Sequence, residues 1–217
     1  MKTILVTGAS GGMGSAICRQ LADAGHRVYA LDVKPLDMPG VSAFVCDLRT
    51  EDGASAALAW FKAQETRLDA IVHAAGLYDL DSLVEMDDDR FRRIFEVNVF
   101  AACHVGRLFT PLMSSGGRIV FITSELAPLH PLPFTGVYAV TKKALEAVAA
   151  SLRTELALRE YAEIEGLAED EIDKTDKLLQ EMIVHGKHKN LSFFAFTATP
   201  KAQTLEMFGT ERMDGSF

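Results

Sequence analysis

Apolar residues along this chain come in two alternating rhythms. Short, largely apolar runs, several of them β-branched, stand at residues 3–7 (TILVT), 27–32 (RVYALD), 42–48 (SAFVCDL), 69–76 (DAIVHAAG) and 117–124 (GRIVFITS). Runs that are apolar at consecutive positions predict strands buried on both faces of a parallel sheet. Between them the spacing changes to the helical period. GSAICRQLADAG puts Ile17, Cys18, Leu21 and Ala22 on one face and ends at Gly25, a natural helix stop. ASAALAWFKAQE, DRFRRIFEVNVFAACHVGRLF and AVTKKALEAVAASLRTELAL repeat the period. Trp60, in the first of these, fits helix packing against the sheet and has no functional role. Strict alternation of strand and helix predicts right-handed crossovers and an α/β, Rossmann-like, doubly wound parallel sheet.

From Glu160 the texture changes. EYAEIEGLAEDEIDKTD is dense in acid and reads as a solvated helix or linker. A further helical pattern, DKLLQEMIVHG, follows, and then an apolar run at 191–196 (LSFFAF). The expected division is a dinucleotide-binding catalytic domain over 1–158 and an atypical segment over 159–217, with the boundary near 158–166.

Composition narrows the function classes. Of 217 residues, 48% are hydrophobic and 24% charged, an ordinary globular balance. The net charge of −8 opposes general binding to nucleic acid or anionic membrane. Cys18, Cys46 and Cys103 lack a C-x-x-C spacing and read as reduced thiols of a cytoplasmic protein, without a disulfide framework or zinc site. No basic leader and no membrane-length apolar run is visible. His185 and His188 flank Gly186 in a basic turn with no third ligand, so they read as solvated loop and no metal is expected.

The chemistry-bearing motifs follow the strands. TGASGGMG (residues 7–14) leaves the first strand and opens a helix. There Gly8, Ser10, Gly11, Gly12, Met13 and Gly14 form a turn whose backbone can approach a pyrophosphate at a helix N-terminus. A tight turn that binds nothing would read the same in isolation. Asp32 ends the second strand, where a carboxylate accepts from both ribose hydroxyls and repels a 2′-phosphate. That favours NAD over NADP, although Lys34 stands nearby. Tyr138 and Lys142 lie one helical turn apart, and an adjacent ammonium favours a phenolate. Ser124 ends the fifth strand, where it faces a ligand crevice or serves as a strand-end cap. Asn98 sits inside a helical pattern, and by itself reads as a helix-surface amide.

Taken in order, TGASGGMG, Asp32, CDL, HAAG, Asn98, Ser124 and the Tyr138–Lys142 pair make residues 3 to about 158 resemble a classical short-chain dehydrogenase/reductase. The resemblance implies an Asn98–Ser124–Tyr138–Lys142 tetrad. Tyr138 would exchange a proton with the substrate oxygen while hydride moves to or from C4 of the nicotinamide. Ser124 would hydrogen-bond that oxygen, Lys142 would hold the ribose and lower the tyrosine pKa, and Asn98 would order a water. Asp47 and Leu48 would approach the adenine, and Ala74, Ala75 and Gly76 would line the cofactor. It also implies a homodimer or homotetramer, with the helices of Asn98 and Tyr138 meeting across a two-fold axis. Two departures stand out. His73 replaces the usual asparagine, which is expected to weaken a strand-to-strand hydrogen bond, and the family's sixth strand with its substrate loop is missing after the Tyr–Lys helix.

Residues from about 160 to 210 resemble instead part of the motor subunit of type I restriction enzymes, through EYAEIEGLAEDEID, LLQEMIVHGKHKNLSFFAFTATPKAQTLEMFG and above all FTATP (Thr197, Ala198, Thr199). No ATP-driven function transfers, because the chain has neither G-x-x-x-x-G-K-[ST] nor an acidic D-E-x-H box. A lost sixth strand would leave GRIVFITS with an open edge. Residues 191–196 are expected to dock there as a substitute parallel strand, with KAQTLEMFG as a short helix over the cofactor mouth; the alternative is a loosely packed tail.

Two functional readings remain. One is an oxidoreductase interconverting an alcohol and a carbonyl compound on NAD(H). The other is a non-enzymatic dinucleotide-binding protein lacking its substrate wall. Leu77, Leu80, Leu126, Leu129 and Phe134 hint at an apolar carbonyl substrate.

Overall fold

A computed structural model describes residues 1–79, 81–124, 134–165 and 192–196. The strands are β1 (Thr3–Thr7), β2 (Arg27–Asp32), β3 (Val41–Val45), β4 (Leu68–His73), β5 (Met113–Ile122) and β6 (Ser192–Phe196). The α-helices are α1 (Gly12–Asp23), α2 (Glu51–Lys62), α3 (Asp88–Phe95), α4 (Ala101–Phe109) and α5 (Gly136–Glu165). Helix starts follow local chemistry. The Thr50 hydroxyl accepts from Gly53 N–H at the head of α2, and Glu51 and Asp52 complement the dipole there. Asp87 caps α3 in the same way through Arg90 N–H at 2.9 Å.

All described strand pairs are parallel, in the order β3-β2-β1-β4-β5-β6. Alternate residues feed opposite faces. Leu5, Leu31, Ile71, Ile119 and Phe121 join Phe61, Phe109 and Leu145 on one side, and Ile4, Val6, Val28 and Ala30 pack with Cys18 of α1 on the other. Trp60 stacks on Phe44 at 5.2 Å and meets Tyr29 edge-on, a packing role. Cys18 and Cys46 are buried free thiols, and Cys103 is an exposed one.

The chain order reverses between β1 and β4, which opens a crevice at the carboxyl ends of these two strands. β5 is covered on its far edge by β6, with Ile119 opposite Phe193 and Phe121 opposite Ala195. Three boundaries differ from those the periodicity predicts. The third strand ends at Val45, so Cys46 and Asp47 lie beyond it and lead into a turn at Leu48 and Arg49. The single helix expected around Asn98 is α3 and α4 joined by a π turn at Glu96–Phe100. α5 runs unbroken to Glu165, across most of the expected 158–166 boundary. The expected helices at 176–186 and 201–209, His185, His188, Thr197, Ala198 and Thr199 lie outside the described residues.

Candidate active site

The crevice is built by backbone first. β1 ends at Thr7 and the chain turns at Gly8 with φ +66°; a Cβ there would stand 2.5 Å from Ala75 N. Only glycine lets this turn lie against the segment that leaves β4. A cleft of about 660 Å³ opens from that contact. Gly8, Gly11, Asp32, Asp47, Leu48, Ala74, Ala75 and Gly76 line it, as do Arg49, Arg93 and Val97. Ser10, Gly12, Met13 and Gly14 belong to the same turn but do not form its wall; Met13 is half exposed. Ser10 instead positions Asp32, its N–H donating to Asp32 Oδ2 at 2.9 Å while Lys34 N–H donates to Oδ1 at 3.0 Å. The Arg49 guanidinium reaches Asp47 at 2.6 Å and holds that carboxyl below its ordinary pKa.

Beneath the turn, Thr7 and His73 stand opposite each other on β1 and β4. The imidazole Nδ1 lies 2.9 Å from Thr7 Oγ1, which also accepts Ala75 N–H at 3.3 Å. His73 thus keeps a link between the strands instead of loosening it, using the threonine hydroxyl as its partner. The ring is fully buried and Nε2 has no partner among the described residues. Burial, with the Lys142 ammonium adding, pushes its pKa down to about 3, so the ring is neutral.

The predicted tetrad converges on the opposite side. The π turn brings Asn98 into a fully buried position. Its Oδ1 accepts Leu77 N–H at 2.6 Å, and its Nδ2 donates to Leu77 O at 3.0 Å and Thr141 Oγ1 at 2.9 Å. Half-buried Tyr138 hydrogen-bonds Ser124, and its ring lies 5.8 Å from Lys142 Nζ. Lys142 is 5% exposed and donates to Ile122 O at 2.9 Å; burial brings its pKa down to about 8. A Cβ on Gly76 would stand 3.1 Å from that ammonium, so the lysine lies between the tyrosine and the cofactor-lining segment.

The Tyr138 phenol is raised above its ordinary pKa: burial dominates, the Ser124 hydrogen bond opposes it, and Tyr78 adds to it. The Lys142 ammonium is directed at the Ile122 carbonyl.

Sequence reasoning missed three contributors. Thr141, one turn from Asn98 in space, carried no signal beyond its place between Tyr138 and Lys142. Arg90 of α3 grips Asp79 at 2.6 Å and also Asp81, and Asp81 N–H donates to Phe134 O at 2.9 Å. Tyr78 packs edge-on against Tyr138, with ring centroids 4.8 Å apart. Of the apolar residues expected to face the substrate, Leu80, Leu126 and Leu129 lie outside the described residues.

Known proteins resemble this chain in sequence and fold. The family described as short chain dehydrogenase matches residues 2–167. The oxidoreductase UcpA of Escherichia coli is 32% identical over 168 residues, covering 72% of this chain and 64% of UcpA. The chain therefore spans less than two thirds of that relative. A short-chain dehydrogenase/reductase of Serratia marcescens is 27% identical, with a TM-score of 0.64 over 72% of this chain and 67% of that one. A short chain dehydrogenase family protein of Francisella tularensis shares the fold, with a TM-score of 0.67 over 90% of this chain and 97% of that one at 19% identity. The restriction-enzyme likeness of residues 160–210 has no support in these comparisons and falls almost wholly beyond the family match.

Proposed function

The chain belongs to the short-chain dehydrogenase family, and on that premise we propose that it oxidises an alcohol or reduces a carbonyl compound with NAD(H), using Tyr138 for proton transfer. The observation that carries this reading is the convergence of Ser124, Tyr138 and Lys142 beside Gly76 at the mouth of the crevice.

The residues present fit a dinucleotide. Gly8 lets the turn lie against Ala74 and Ala75 where a side chain would clash, and the 660 Å³ cleft runs from that turn to Asp32 and Asp47. Asp32 faces the position of an adenosine ribose and supports NAD over NADP, because a 2′-phosphate would meet its carboxylate. NAD, when bound, supplies the hydride acceptor at its nicotinamide.

The chain's own part is proton handling. In the oxidation direction Tyr138 Oη takes the proton of the substrate hydroxyl; in reduction it returns a proton to the developing alkoxide. Ser124 hydrogen-bonds Tyr138, which lowers the tyrosine pKa against the effect of burial, and would give its one hydroxyl proton to the substrate oxygen when a substrate is bound. Lys142 bears its charge below about pH 8 and, next to Gly76, would hold the ribose of a bound dinucleotide. Asn98 holds the Leu77 backbone, and with it the front wall. Residues 1–158 carry this machinery, and β6 (Ser192–Phe196) completes the sheet beside β5.

Replacing Tyr138 with Phe tests the reading. Turnover of alcohols or ketones is expected to fall by roughly 10²- to 10⁴-fold, with NADH affinity unchanged. Equal turnover in the Phe variant would reject Tyr138 as the proton carrier.

A further inference from the structure

Tyr78 is 61% exposed, yet it is held on both sides. Before it, Asn98 binds the N–H and the carbonyl of Leu77. After it, Arg90 binds Asp79 at 2.6 Å and also Asp81, which ties the loop to Phe134. The phenol ring between these anchors meets Tyr138 with planes 87° apart and centroids 4.8 Å apart. An exposed aromatic ordinarily samples several rotamers; this one packs against the ring of the proton-transfer group, on a loop anchored on both sides of it.

Its neighbours share its character. Leu83 and Phe134 are 59% and 63% exposed, and Leu83 reaches within 3.6 Å of where a Gly136 side chain would begin, two residues before Tyr138. The rim beside Tyr138 is therefore apolar and uncovered, while the charged Arg90–Asp79–Asp81 cluster braces the loop. Apolar surface gathered at the opening of a site is gathered where a ligand covers it. The Tyr78 phenol also adds to the rise in the Tyr138 pKa.

We propose that Tyr78 is a specificity-determining residue whose ring walls the substituent on the reacting carbon, selecting substrates with an aromatic or bulky apolar group there over small aliphatic ones. This rests on the oxidoreductase reading above. An aromatic substituent meets the fixed ring in edge-to-face or offset contact, and a methyl group leaves it bare. The ring, and not the hydroxyl, carries the selection.

The test compares acetophenone with acetone as substrates of the full chain with NADH, in the unmodified protein, Tyr78→Phe and Tyr78→Ala. The unmodified protein is expected to favour acetophenone, Tyr78→Phe to keep that preference, and Tyr78→Ala to lose it by roughly 10- to 100-fold, chiefly through KM. An unchanged ratio in Tyr78→Ala, or a preference for acetone in the unmodified protein, overturns the proposal. If neither compound turns over, acetophenone titrated into the protein–NADH complex decides. Binding that is lost in Tyr78→Ala and kept in Tyr78→Phe supports the wall; equal binding in all three, or none to the unmodified protein, overturns it. Tyr138→Phe separates the two readings: if it stays fully active the proton assignment falls, while the substrate ratio still reports on Tyr78.

Discussion

The Asn98 side chain holds Leu77 by both of its backbone groups, accepting its N–H at 2.6 Å and donating to its carbonyl at 3.0 Å. A residue of the π turn thereby sets the course of the loop that faces Tyr138. Asn98→Ala removes both bonds and a third to Thr141. Unfolding in denaturant is expected to report a loss of ~1–3 kcal/mol, together with reduced turnover. Stability equal to the unmodified protein would show that the loop is held by Arg90 alone.

Asp32 accepts from Ser10 and Lys34 N–H groups, so its carboxylate is fixed at the lip of the cleft. Asp32→Ala is expected to narrow the preference for NADH over NADPH by roughly 10- to 100-fold. Fluorescence titration with both cofactors measures this. An unmodified protein that binds NADPH more tightly contradicts the assignment.

His73 gives a pH prediction. Its pKa falls from 6.5 to about 3 in the folded chain. Between those values the unfolded chain binds the proton and the folded chain does not. Stability therefore falls as pH drops through 6.5 towards about 3. His73→Asn removes this titration, and its melting temperature is expected to decline less steeply below pH 6.5. Parallel declines in both proteins would assign the acid sensitivity elsewhere.

The α4–α5 face carries a groove lined by Val99, Cys103, Val148, Leu152 and Leu156. Gly106 allows its close packing, since a Cβ there would stand 2.7 Å from Leu152 Cδ1. A second copy of the chain is the expected occupant, and Val148→Glu is expected to shift sedimentation from dimer towards monomer. A strict monomer at micromolar concentration in the unmodified protein contradicts this.

β6 covers the outer edge of β5 through parallel pairing from Arg118 opposite Ser192 to Ile122 opposite Phe196. Amides of residues 193–196 are expected to exchange far more slowly than those of an unfolded peptide. Deleting residues 166–217 is expected to cause aggregation through the bared edge. Free exchange at 193–196 would remove β6 from the sheet.

Local chemistry made much of this legible in advance. Consecutive apolar residues, the helical period, the glycine turn after β1 and the one-turn spacing of Tyr138 and Lys142 are properties of neighbouring residues, so the chain itself determined the alternating fold and the principal site. The remaining features join distant residues. His73 looked like a weakened link because its partner, Thr7, is 66 positions away. Asn98 looked like a surface amide because Leu77, 21 positions away, and Thr141, 43 away, meet it only once the crossovers are made. The π turn that aims Asn98 inward leaves no mark in the apolar period. Tyr78 resembles any loop tyrosine until Arg90 and Asn98 hold it against Tyr138. Tertiary structure decided these points, because sheet order and helix crossovers, and not local preference, bring such residues within hydrogen-bonding reach.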